Sequence, residues 1–174
     1  MSGQRVVSFA VICIVLYELL SVYVFRAFRR RQIFNLATQK AIELGLPLVV
    51  IGDPATDNYS LSRYDYGCGD LCVDIAGCPK CHNSITHDIN KPFNNISDNS
   101  CVVFISCTLE YVNNIGAVVA ELNRISGNNL YVVNIEPFTI KSLFFTNTGY
   151  TQFSRKWRVI NAPPLYNNIK YIKI

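Results

Sequence analysis

The tightest constraint on the fold lies between Cys101 and Glu136. "CVVFISC" (Cys101 to Cys107) is a continuous apolar run rich in β-branched residues, the pattern of a strand buried on both faces. After it, Ile115, Val118, Val119, Leu122 and Ile125 recur at three- and four-residue spacing, on one face of a helix that stops near Gly127. "LYVVNIE" (Leu130 to Glu136) follows at once as another apolar strand. Strand, amphipathic helix and strand form a βαβ unit, whose strands run parallel with a right-handed crossover. The sequence therefore predicts an α/β domain built on a mostly parallel sheet.

Upstream text extends that sheet. "QIFNLATQKAIEL" (Gln32 to Leu44) places Ile33, Leu36, Ala37, Ala41 and Leu44 on one helical face, and Gly45 and Pro47 end it. "LPLVVIGD" reads as a buried strand, "LCVDIAG" as a second and "SITHDI" as a weaker third. Ala55 to Gly69 has no helical period and is expected to be a long loop. "YTQFSRKWRVINAPP" suggests a short pair of extended segments, and Tyr59, Tyr64, Tyr66 and Trp157 are expected to cover a small sheet lacking a full helix layer.

Ahead of these elements, Val6 to Val24 reads "VVSFAVICIVLYELLSVYV", in which only Ser8, Glu18 and Ser21 are not apolar. At a rise of roughly 1.5 Å per residue such a run just crosses a ~30 Å hydrocarbon core, so a single transmembrane helix is expected. Arg26, Arg29, Arg30 and Arg31 follow the run, the reverse of the order in a cleaved signal peptide. Positive charge stays on the cytosolic side. The expected layout is thus an anchor with a basic flank over 1–31, its N-terminus outside, and a cytosolic domain over 32–174. Reduced cysteines and unglycosylated sequons at Asn58 and Asn95 would follow.

Charge narrows the partners. Positions 1–31 hold five arginines and one glutamate, which leaves eleven basic and eleven acidic residues in the remainder. The basic excess suits anionic headgroups, while the neutral domain carries no electrostatic footprint for nucleic acid.

Asp88 to Ser126 carries a family likeness. Pro92-Phe93, Asp98-Asn99-Ser100, Leu109-Glu110-Tyr111-Val112 and the Glu121-x-x-Arg124 segment stand in that order, and the stretch resembles the middle of a class I S-adenosylmethionine-dependent methyltransferase. The resemblance implies a Rossmann-like sheet with a cofactor at the C-terminal ends of its strands. It puts Gly52 and Asp53 at the turn near the methionine part, Asp74 at the ribose hydroxyls and Asp88 near the adenine amino group. The chain departs from the family at Pro54, where further glycines and a helix are usual, and at Tyr111, which replaces a histidine. An anchored, shortened domain of this kind is also similar to membrane-anchored proteins of large double-stranded DNA viruses. Together these likenesses imply a structural or docking module with protein partners, such as a minor capsid component on a virion internal membrane. The alternative is an active methyltransferase at a membrane surface.

"GCGDLCVDIAGCPKCHNSITHDI" (Gly67 to Ile89) concentrates four cysteines and two histidines. Structural zinc takes four thiolate or imidazole ligands in a tetrahedron, and Cys78-Pro-Lys-Cys81 has knuckle spacing. Cys68, Cys78 and Cys81 with His82 or His87 are the candidate ligands. Cys72, in mid-strand, is expected to be core, as are Cys101 and Cys107. Two other chemistries are less favoured. Cys78 or Cys81 beside Lys80, His82, His87 and Asp74 could make a nucleophile, but no Cys–His signature is present, and Asp53, Asp57, Asp65 and Asp70 fit no EF-hand spacing and read as solvated loop carboxylates.

Overall fold

The computed structural model describes residues 3–20, 26–54, 66–106, 108–109, 112 and 114–133. Leu48–Ile51 (β1), Leu71–Asp74 (β2), Ser84–Thr86 (β3), Val102–Ser106 (β4) and Leu130–Val133 (β5) form one sheet in the order β3-β2-β1-β4-β5. Every neighbouring pair is parallel. From β1 the chain builds outward to one edge, then fills the other side from β4, the arrangement of doubly wound sheets.

Period-two alternation sorts the strand residues between two layers. Val49, Ile51, Val103, Ile105, Leu130 and Val132 face Ile115–Ser126 (α3) and join its buried Val118, Val119, Leu122 and Ile125 in one core. Leu48, Val50, Val102, Phe104, Tyr131 and Val133 face the opposite way and pack with Ile33, Ala37 and Ala41 of Arg26–Leu44 (α2). Both strands of the βαβ unit, β4 and β5, are thus buried on two faces, as their uninterrupted apolar text requires. α3 is closed at both ends by local chemistry. Asn114 Oδ1 accepts the Ala117 N–H at 3.2 Å, and Gly127 takes the left-handed φ of 57° at the C-terminus.

α2 covers only part of its layer. It packs against β1, β4 and β5. One strand further out, Cys72 lies level with Val50 on the same face, where a separate cluster of Cys72, Cys78, Cys81 and Cys68 takes over. β2 and β3 are joined through residues 75–83 by turns rather than a crossover helix, although parallel neighbours usually need one. Among the described residues, the cysteine cluster covers this thin end of the sheet.

The N-terminal expectation is corrected. The apolar run is helical over Gly3–Leu19 (α1), 17 residues, which at a rise of 1.5 Å reaches about 25 Å, short of a ~30 Å hydrocarbon core. Among the described residues no helix is long and apolar enough to cross a membrane. The single transmembrane helix is therefore not supported. The placement built on it falls too: N-terminus outside, cytosolic domain, virion internal membrane. Positions 21–25 lie outside the described residues.

The basic flank also changes role, because α2 begins at Arg26 and carries these arginines as its first turns. Arg30 is 3% exposed, and its guanidinium carbon lies 5.6 Å from the centre of the Tyr66 ring, a cation–π arrangement within the domain. The expected extended pair after Gly149, with Trp157, Tyr59 and Tyr64, falls outside the described residues.

Candidate functional site

In an open α/β sheet of this order, ligands bind beyond the C-terminal ends of the strands, near the point where the order reverses. Here that point is between β1 and β4, and the residues leaving β1, β2, β3 and β4 meet around a cleft of about 100 Å³. Gly52, Asp74, His87, Asp88, Asn90 and Thr108 line it with a floor of Ile51, Val73 and Ile89.

Gly52 is there because nothing else fits. Its φ is 97°, and a Cβ would stand 2.8 Å from Thr108 Oγ1, so any side chain meets both backbone strain and a steric clash. Its N–H donates to Val73 O at 2.9 Å, and the next N–H, of Asp53, donates to Asp74 Oδ2 at 3.0 Å. Asp74 Oδ1 accepts the Ala76 N–H at 2.8 Å. The acid that ends β2 is thereby locked to the turn that ends β1. Asp53 is buried at 5% exposure beside the cleft but does not line it.

Asp88 closes the other side. Its Oδ1 accepts the backbone N–H of Asn90 at 3.0 Å and the Asn90 side-chain amide at 2.8 Å. These two bonds, the backbone one first, hold its carboxyl below the usual carboxylate range. The His87 ring rests 4.3 Å from the Phe93 ring, with Nε2 3.2 Å from Lys91 O. His87 is therefore a wall of the cleft and not part of a metal set.

The wall is held to α3 by charge. Glu121 Oε1 accepts the Phe93 N–H at 2.7 Å. Arg124 donates to Glu121 at 2.7 Å and 2.9 Å, to Phe93 O at 3.1 Å and to Ile96 O at 3.3 Å, and it also pairs with Asp98. Arg124, followed by the Phe93 N–H, pulls the Glu121 carboxyl below its ordinary value, and Glu121 and Asp98 push the Arg124 guanidinium further up.

The cysteines form a second centre. Cys68 and Cys81 are joined by a disulfide with Cα atoms 5.6 Å apart, and Cys72 and Cys78 by another at 6.2 Å. The Sγ atoms of Cys72, Cys78 and Cys81 all lie within 4.8 Å of one another, and all three residues are buried. The expected ligand set is thus corrected in two places. Cys72 belongs to the cluster rather than to the general core, and exposed His82 stays outside it. The expectation of reduced cysteines fails as well, and in this form neither Cys78 nor Cys81 offers a thiolate nucleophile. Cys101 is apart: its buried thiol, pushed up to about 11 by burial, donates to Ile125 O at 3.4 Å.

Of the four loop acids, Asp57 and Asp65 lie outside the described residues. Asp70 accepts the Leu48 N–H at 2.7 Å and so anchors the start of β1. A larger groove of about 380 Å³ runs beside α2 past Phe34, Thr38, Ile42, Leu46 and Asp70, but no set of polar groups converges in it. The smaller cleft is the better candidate because its polar groups do.

Of the residues singled out in the sequence, Gly52, Asp74 and Asp88 line this cleft and Asp53 does not, while Thr108 and Asn90, which were not singled out, line it too. Their signal was available, since Thr108 sits two residues past the end of β4 and Asn90 lies in the turn four residues past the end of β3. Leu109 and Val112 of the expected segment are buried in the α3-side core, whereas Glu110 and Tyr111 lie outside the described residues. No family model, no curated protein and no solved structure matches the chain.

Proposed function

We propose that this chain is a methyltransferase-like domain whose cleft holds the adenosine part of a nucleoside cofactor, with S-adenosylmethionine the first candidate. One observation carries the reading. Gly52, Asp74 and Asp88, from three separate stretches, converge on one cleft at the C-terminal edge of a β3-β2-β1-β4-β5 sheet. A carboxylate ending the second strand suits ribose hydroxyls. Each Asp74 oxygen accepts one backbone N–H and keeps a further lone pair for a ribose donor. Asp88, kept ionised, offers an acceptor to an exocyclic amine.

A second reading is a structural or docking module with a protein partner, such as a minor capsid component, and a specific observation favours it. The cleft, about 100 Å³, is smaller than the roughly 300 Å³ at which small-molecule pockets begin. Calorimetric titration of the full chain with S-adenosylmethionine separates the two. Micromolar binding that Asp74→Ala abolishes supports the nucleoside site, and absence of heat leaves the docking reading. Binding unchanged in Asp74→Ala sinks the assignment of that residue.

Zinc is the other group we propose for this chain. Cys68, Cys72, Cys78 and Cys81 would supply four thiolates, a closed structural set with no open coordination position, once both disulfides are opened.

A further inference from the structure

We infer that the cysteine quartet is an exchangeable staple: two disulfides when oxidised, one zinc tetrathiolate when reduced, closing the same loops in both states. The inference rests on the zinc reading just given and adds its redox control.

The geometry that makes the disulfides also assembles a metal site. The Cys72–Cys78 bridge is nested inside the Cys68–Cys81 bridge in sequence, and the four residues pack as one cluster beside β2. Zinc–sulfur arms of about 2.3 Å put tetrahedral sulfurs roughly 3.8 Å apart. The Cys72, Cys78 and Cys81 sulfurs, within 4.8 Å of one another, need to shift only by about 1–2 Å, and Cys68, bonded to Cys81, swings in from outside that group by rotation of its side chain once the bridge is opened. Cys78 and Cys81 already flank a tight turn, with the Cys81 N–H donating to Cys78 O at 3.0 Å.

The position explains why a staple is needed in either state. α2 packs against β1, β4 and β5, and among the described residues the cysteine cluster covers Cys72's face of β2. A small layer without a helix over it is held by disulfides or a metal, because its apolar area is too small to order it. Asp74 lies between Cys72 and Cys78, so the staple also fixes the acid that ends β2.

The exchange balances as follows. Two equivalents of a dithiol reductant give up four electrons and four protons, become disulfides and leave four cysteine thiols. Zinc ion then binds the four sulfurs as thiolates and displaces their protons to solvent. In reverse, two equivalents of a disulfide-class oxidant such as diamide, a two-electron acceptor, each take two electrons from a thiolate pair and two protons from water. Both protein disulfides reform and the zinc ion is freed.

The test uses the full chain in three states: oxidised, dithiol-reduced with one equivalent of zinc or cobalt, and reduced then treated with diamide. The expected result is one metal per reduced chain, with the visible absorption of tetrahedral cobalt thiolate, and none on the oxidised chain. Diamide should release the metal to a chromophoric chelator while the intact mass falls by four hydrogens. Cys101→Ser should keep the full equivalent. Cys78→Ser should weaken zinc binding by more than the ~10–100-fold that losing an outer-shell partner costs. A reduced chain that takes up no metal overturns both the zinc reading and the exchange. Metal that stays bound after diamide, with the disulfides unformed, overturns the exchange alone. Because the cobalt spectrum is read on the unmodified chain, a misfolded variant leaves the test intact.

Discussion

The loop after β3 and the loops around β2 are both fastened to the sheet, but by different chemistry. Residues 93–98 are fixed to α3 through Arg124 and Glu121, groups only partly shielded from water. Residues 68–81 are fixed by sulfur, with Cys72 and Cys78 almost fully buried. The first fastening responds to protons and is blind to redox poise, and the second does the reverse. The cleft lies between them: Asp74 belongs to the sulfur-held side and Asp88 to the side that runs into the charge-held loop. A change in either fastening should therefore reach the cleft from a different direction.

The largest break in this comparison is expected from reduction with a chelator present. Cross-links separated by 13 and 6 positions contribute about 3 and about 2 kcal/mol by the loop-entropy argument, less in sum because they are nested. The urea midpoint should fall accordingly, and hydrogen exchange should rise first over residues 71–83. A midpoint unmoved by reduction would show that the sulfur side is not a fastening at all.

Next comes Arg124→Met, which removes every bond from the guanidinium to Glu121, Asp98, Phe93 O and Ile96 O. These charge-assisted bonds lie near solvent and are partly screened, so the urea midpoint should fall by less than it does on reduction. Exchange should now rise over 89–98 and leave 71–83 protected. Loosening of both loops at once would mean that they form one unit.

The smallest effect is the acid dependence. Glu121 titrates lower folded than its ordinary value of 4.5, so its contribution is present above about that pH and is lost as pH falls through the folded value. Glu121→Gln should flatten the stability-against-pH curve between pH 5 and the acid limit. Opening the disulfides should lower the curve without changing its slope there. Parallel curves for Glu121→Gln and the parent would remove the charge side's proton sensitivity.

How much was legible follows from the range of the forces. β1, β4, β5 and α3 could be read directly because burial on two faces or one stripe writes itself into every residue of an element. β3 was faint because it has three residues, two of them exposed and none buried. The N-terminal run was misread because apolar length was counted in the text, while the described α-helix there spans Gly3–Leu19. Arg30 was assigned to a membrane edge by its neighbours in sequence, yet its partner Tyr66 comes from the distant segment before β2 and packs in the same layer as α2. The Glu121-x-x-Arg124 segment was visible as text, but that it grips Phe93, Ile96 and Asp98 depends on where the 93–98 loop is brought.

The sequence by itself determined a parallel α/β sheet, its βαβ unit and the residues at its C-terminal edge, because periodicity and turn chemistry act within a few residues. Tertiary structure decided which of four closely spaced cysteines pair and why Cys72 is among them. That outcome turns on where α2 stops covering the sheet, a packing boundary set by residues far away in the chain. It also decided that Gly52, Asp74 and Asp88 share one cleft, since only the strand order brings three separate strand ends together.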